Sequence, residues 1–178
     1  MPLPVAHSLV GALSVAFIYP TERSKEWFLA LFIGAFITNC PDLDFILYWA
    51  TGTKGWHRGF THSITFSLLL SLLALIALGR KHLRRVVAFG LAYMSHGVLD
   101  FATTLRGGGV QLLWPFSDRR LALRLAGLSE IPLELSPVQI LFAVFIEILI
   151  FFPLLIAAIL IKQRKYLSHF LANRQSKN

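Results

Sequence analysis

The sequence predicts an all-α, multi-pass transmembrane helical bundle of about five helices with one long re-entrant or interfacial loop, forming a single domain over residues 1–178. Three observations lead there. Hydrophobic residues make up 56% of the chain and charged ones only 15%, with a mean hydropathy of +0.65, a balance that suits a bilayer rather than water as solvent. The apolar residues fall in long blocks instead of short alternating runs, as membrane-crossing helices require. Lysine and arginine gather between the blocks and in the tail, where they set topology.

The blocks run over Leu3–Tyr19, Trp27–Trp49, Ile64–Gly79, Val86–Leu105 and Val138–Ile161. Because about 20 residues are needed to cross the hydrocarbon, the last block spans readily, whereas the first and third lean on their flanks. No basic stretch precedes the first block and no small-residue cleavage site follows it, so it is expected to persist as an uncleaved helix. The second block holds Pro41, which withholds an N–H and loosens the helix around it. Its neighbour Cys40 is the lone cysteine; it forms no internal disulfide and reads as a small buried side chain.

The connection from Arg106 to Pro137 opens with Gly107, Gly108 and Gly109 and continues through Leu112–Phe116, where Trp114 and Phe116 suit the headgroup zone. It is expected to fold back onto the membrane. From Arg120 to Leu125 the residues alternate with the period of a short strand, and Gly127 would turn it into a hairpin ending near Leu135.

With five crossings, Arg23, Lys25, Arg80, Lys81, Arg84, Arg85, Lys162, Arg164, Lys165, Arg174 and Lys177 share one side of the membrane. Lys54, Arg58, Arg106, Arg119, Arg120 and Arg124 share the other. By the positive-inside rule the N-terminus faces outward and the C-terminus is cytoplasmic. The net charge of +8 is thereby explained by topology, and no nucleic-acid partner is expected. The sequence gives no oligomeric state.

Ionisable groups inside membrane segments are costly, so each requires a reason. His7 starts the first block, Asp42 and Asp44 flank Leu43 in the second, His57 lies in the following loop, His62 opens the third block, and His96 and Asp100 lie late in the fourth. All seven fall on one side of the membrane. His96 and Asp100 are four apart, which puts both on one helix face. Asp42 and Asp44 are two apart and splay on a regular helix, but a turn loosened by Pro41 lets both reach inward. Imidazoles and carboxylates together are ligands for zinc, and also for manganese or iron. Taken singly, His7 reads equally as a packing histidine, Asp42 as a cap at a helix break, and His96 with Asp100 as a buried pair. His82 and His169 sit among basic residues on the opposite side and read as solvent or headgroup contacts. Glu147, in the middle of the last block, is expected to pair with a site histidine or with another helix.

These elements resemble the YdjM-like bacterial inner-membrane metal-dependent hydrolase family. The resemblance rests on His7 within AHSLVGA, PDLD at Pro41–Asp44, HRGFTHS at His57–Ser63, SHGVLDFATT at Ser95–Thr104 and GVQLLWPFS at Gly109–Ser117. It covers the chain to about Arg124. Where family members often carry a proline this chain has Thr104, and where some carry a histidine it has Phe45, which removes one ligand and leaves the core set. The resemblance implies an inner-membrane hydrolase with a divalent metal, and a distant similarity to zinc-dependent phospholipases C.

The expected chemistry is therefore metal-assisted hydrolysis, with His7, Asp42, Asp44, His57, His62, His96 and Asp100 as metal ligands and Asp42, Arg58 and Asp100 as catalytic groups. Thr61 and Thr103 would donate hydrogen bonds to the ligands. Arg58, aided by Arg119, Arg120 and Arg124, offers cations to a phosphoryl group, so the substrate is expected to be a phosphoester, such as one carried by a membrane lipid. Two other classes use similar residues: a metal or proton transporter, which needs polar groups at both ends of the bilayer, and a metal-stabilised scaffold without turnover.

Overall fold

The computed structural model describes residues 2–20, 24–53, 55–105, 108–125 and 136–175, and these form six α-helices with no extended strand. They are α1 (Pro4–Ile18), α2 (Ser24–Ile37), α3 (Asp44–Thr51), α4 (Ile64–Leu78), α5 (Leu83–Thr103) and α6 (Pro137–Gln175). Short 3-10 turns cover Cys40–Leu43, Phe60–His62 and Arg80–His82. Local chemistry sets several boundaries. Pro4 supplies the pre-set φ of a first helical turn. The Ser63 hydroxyl accepts from the Phe66 amide at the start of α4. Gly52 (φ 68) and Gly79 (φ 83) end α3 and α4 in backbone that other residues rarely adopt.

The expectation of five spanning helices is not met. By length and composition two helices are long and apolar enough, Arg80–Thr103 and Pro137–Arg164, or three if the bent pair Lys25–Ile37 and Cys40–Thr51 counts as one span. The reason is geometric: α1 and α4 have 15 residues each, about 22 Å of helix against a hydrocarbon core of about 30 Å. The Trp27–Trp49 block is also not one helix. It breaks at Thr38 and Asn39, and the two parts meet at 41°, because Pro41 has no N–H to continue the ladder.

The helices still alternate in direction about α1. Gly11 of α1 approaches α2 so closely that a Cβ there would lie 2.6 Å from the Gly34 carbonyl oxygen. The other face of α1 meets α5, from the His7 and His96 rings at one end to Tyr19 and Phe89 at the other. Parallel to α1 lies α6, which holds both its termini. The Glu147 carboxylate accepts from the amides of Leu3 (2.6 Å) and Ala6 (3.0 Å), and the Lys162 ammonium donates to the carbonyls of Phe17 (3.4 Å) and Tyr19 (3.1 Å). An anion at the N-terminus and a cation at the C-terminus both match the helix dipole. Between them runs a dry core of Ala12, Val15, Ala16, Trp27, Leu31, Ala88, Ala92 and Leu155.

Residues 108–125 fold over the end of the bundle where α5 finishes. The Gln111 amide donates to the Arg58 carbonyl (3.0 Å), Ile64 to Leu112 (3.1 Å) and Leu123 to Phe101 (2.7 Å). Phe116 is 86% exposed at the rim. The short strand expected at Arg120–Leu125 is reduced to one antiparallel bridge, Val110 with Leu121, because the amides of Leu123 and Leu125 bond to the end of α5 instead. The return arm of the expected hairpin, from Gly127 to Leu135, lies outside the described residues.

Candidate metal centre

All seven candidate ligands meet at one end of the bundle. From α5, His96 and Asp100 project from one face, both fully buried. Across from them His7 of α1 is also buried, its ring stacked on His96 at 3.8 Å. The Cys40–Leu43 turn and the start of α3 deliver both aspartates to the same place, as a helix break at Pro41 allows. The segment His57–Ser63 closes the site, held against α5 so tightly that a Cβ on Gly97 would lie 2.1 Å from the His62 carbonyl oxygen.

Hydrogen bonds assign the ring protons. His96 Nδ1 lies 2.7 Å from the Thr38 carbonyl oxygen, which only accepts, so Nδ1 carries a proton, and the neutral ring presents its lone pair at Nε2. The Thr61 hydroxyl donates to Asp44 Oδ2 (3.1 Å) and lies 3.0 Å from His62 Nδ1, which again turns a bare Nε2 toward the centre. His57 donates Nδ1–H to Asp44 Oδ1 at 3.0 Å. Asp44 also accepts from the Arg58 amide at 3.0 Å, so it works as the orienter of the histidine segment.

The remaining atoms face one another without hydrogen bonds. Asp42 Oδ1 lies 3.4 Å from both His62 Nε2 and His96 Nε2, and Asp100 Oδ2 lies 4.0 Å from each of the same nitrogens. His7 Nε2 is 3.4 Å from Asp100 Oδ1. None of these atoms has a hydrogen-bond partner. A charge-assisted N–H···O bond is about 2.7–2.9 Å long, so 3.4 Å is long for one, and the lone pairs of neutral rings repel the carboxylate oxygens they face. About 3.3 Å is, however, the separation of two ligands bound tetrahedrally at about 2.0–2.1 Å from zinc. Charge points the same way. With neutral imidazoles, the carboxylates of Asp42, Asp44 and Asp100 and the Arg58 guanidinium leave two negative charges, which a divalent cation would balance. The donors fall into two triads, His7, His96 and Asp100, and Asp42, His57 and His62. The residues therefore fit such a cation.

Arg58 is buried, with Nε 3.3 Å from Asp100 Oδ2. Its φ of 58 is an uncommon conformation for a bulky residue, held by the Asp44 contact to its N–H and the Gln111 contact to its carbonyl. The other arginines do not join it. Arg120 donates to the carbonyls of Gly55 (2.8 Å), His57 (3.0 Å) and Gly109 (3.3 Å), bracing two loops, while Arg119 and Arg124 are exposed. Thr61 serves the centre, but Thr103 turns its hydroxyl back to the Leu99 carbonyl of its own helix. Sequence reasoning missed Thr38, whose contribution is a backbone carbonyl and so has no residue signature, and Tyr93, whose hydroxyl donates to the Thr61 carbonyl (3.0 Å). The pairing of Glu147 is with the α1 N-terminus. His82 lies at the far end of α5, away from the centre.

The centre opens at the side chains of Asp42 (18% exposed) and His57 (21%), while His7, His62, His96 and Asp100 are sealed. Beside that opening Thr53, Trp56, Phe60, Gln111 and Trp114 line a cavity of about 250 Å³.

The profile of the family described as YdjM inner membrane protein matches residues 1–171. Inner membrane protein YbcI of Escherichia coli (strain K12) is 37% identical over 98 residues, which cover 51% of this chain and 56% of that protein. The chain thus aligns with only about half the length of this relative. No solved structure matches.

Proposed function

The chain belongs to the YdjM inner membrane protein family, and from the geometry of the centre we propose that this membrane protein is a metal-dependent hydrolase of a lipid phosphoester. The observation that carries the reading is the set of buried ligand atoms that make no hydrogen bond, Asp42 Oδ1, His62 Nε2, His96 Nε2 and Asp100 Oδ2, gathered at one end of the bundle. His7, His96 and Asp100 would hold one ion, zinc by preference, with manganese or iron also suited to this donor set. Asp42, His57 and His62 offer a second position. The ion supplies Lewis acidity, acidifying water and polarising the bond under attack. At the open edge, the Asp42 carboxylate takes the proton from the attacking water. Arg58 stabilises charge that develops on the phosphoryl oxygens, and Asp100 holds its guanidinium in place. Water adds its oxygen to phosphorus, and the P–O bond to the leaving group breaks.

A lipid suits the position of the site. Glu147 lies nine residues beyond Val138 in α6, about 13 Å along the helix, and it contacts Leu3 and Ala6 beside His7. The centre is therefore sunk well below the start of the α6 apolar run. Helices as short as α1 and α4 thin the bilayer around them, which brings headgroups down to the opening at Asp42. The apolar cluster of Val15, Trp27, Ala88 and Ala92 lies on the far side of the centre, a distribution that favours hydrolysis over transport. A non-catalytic metal scaffold would share the ligands but release no product. In this reading the C-terminus is cytoplasmic and the centre opens at the outer leaflet.

The test is to incubate purified protein with total membrane lipid extract and divalent metal, beside Asp100→Ala and Arg58→Ala. Metal-dependent loss of a phospholipid with release of its headgroup, abolished in Asp100→Ala and strongly reduced in Arg58→Ala, is expected. Identical lipid profiles, with a soluble ester cleaved by the wild type alone, would refute the lipid assignment and leave the hydrolase.

A further inference from the structure

Toward the opposite end of the bundle from the metal ligands, two cavities share a rim. One is a groove of about 450 Å³ between α4 and α5 that runs from Tyr93 past Phe89 and Ala74 to Arg85 and His82. The second, about 310 Å³, is lined by Pro20, Lys81, His82, Arg84 and Arg85, so His82 and Arg85 border both. Arg85 is further positioned by the Tyr19 ring, 5.8 Å from its guanidinium carbon. The groove walls are almost wholly aliphatic or aromatic along their length. Along α4 it extends from Ser67 to Leu78, eleven residues or about 16 Å of helix. That matches the depth of one leaflet, half of a hydrocarbon core of about 30 Å. A dry slot one leaflet deep, ending in a pocket of three permanent cations and an imidazole, complements a molecule with an acyl chain and an anionic head.

We propose that this groove and its basic mouth form a binding site for an anionic phospholipid of the leaflet opposite the metal centre, with the chain between α4 and α5 and the phosphate at Lys81, Arg84 and Arg85. Arginine at the mouth suits this role because its planar fork meets phosphate oxygens in pairs. The site is distinct from the hydrolytic centre, since Arg85 and His96 are eleven residues apart on α5, about 16 Å along the helix.

The experiment is native mass spectrometry of the full chain, delipidated in detergent and titrated with dioleoyl phosphatidylglycerol or with dioleoyl phosphatidylcholine. One phosphatidylglycerol per chain should be retained, at least about tenfold more tightly than phosphatidylcholine, with or without chelator. Each cation near a membrane surface contributes on the order of a fivefold change in binding. Neutralising Lys81, Arg84 and Arg85 to glutamine should therefore weaken retention by about a hundredfold, while Arg119→Gln at the other end changes nothing. Ala74→Phe fills the groove without touching a charge and should weaken retention at least tenfold. Leu78→Trp is the second groove variant, used if Ala74→Phe does not run as a single species. Equal retention of the two lipids overturns the proposal. So does loss on neutralising the cations without loss in the groove variants, which would mean adsorption to a basic surface.

Discussion

Replacing Glu147 by alanine removes a fully buried carboxylate from the N-terminus of α1 and leaves the amides of Leu3 and Ala6 without their acceptor. Hydrogen bonds to a charged group are worth about 1.5–3 kcal/mol each, and a buried donor left unpaired costs a similar amount. Two such bonds put the expected loss at about 3–6 kcal/mol, with the helix dipole inside that range. For a chain of this length about 1 kcal/mol moves the unfolding midpoint by about 2–4 °C, so the apparent Tm in detergent should fall by on the order of 10 °C. Glu147→Gln keeps one acceptor oxygen and should lose about half as much, whereas Lys162→Ala, at the partly exposed end, should lose under about 1 kcal/mol. His7 follows Ala6 directly, so slackening this end of α1 should also lower the metal content of Glu147→Ala. The assay is thermal unfolding followed by circular dichroism, with metal analysis of the same samples. A Glu147→Ala protein within 2 °C of wild type, at about the assay's resolution, and with its metal intact would refute the capping role.

Metal analysis of purified wild-type protein should find about one or two divalent ions per chain. His57→Ala, His62→Ala and His96→Ala should each lower occupancy while the protein stays in the membrane, and His82→Ala should change nothing; full occupancy in all three centre variants would remove the site. Gly97→Ala keeps every ligand but pushes its methyl group into the His62 carbonyl, so it should lose metal much as a ligand variant does, and normal occupancy there would show that the His57–Ser63 segment is free to move. Reporter fusions after Lys165 and within Gly107–Gly109 should report opposite sides, with the tail cytoplasmic. A cytoplasmic signal from the glycines would reverse the outward-facing site.

The sequence by itself determined the helical membrane class and the candidate site, because those rest on composition and on side chains whose burial is expensive. An aspartate or histidine inside an apolar block advertises itself, and His96 with Asp100 even announces its shared face by spacing alone. Helix boundaries were less legible. The Trp27–Trp49 block is continuous in hydropathy, but its hydrogen bonding is interrupted ahead of Pro41, and hydropathy does not record bonding. What tertiary structure alone decided is the division of labour. Arg120 read as a cation for substrate, and the fold sets it against three backbone carbonyls. Thr103 read as a donor to the centre and faces its own helix. Glu147 read as pairing with a site histidine or with another helix, and the fold sets it on a helix terminus 141 to 144 residues away in the chain. In each case the partner is a main-chain N–H or C=O, which every residue type carries. Side-chain sequence cannot say which of those groups packing leaves unpaired, and that accounting closes only when the helices are set against one another.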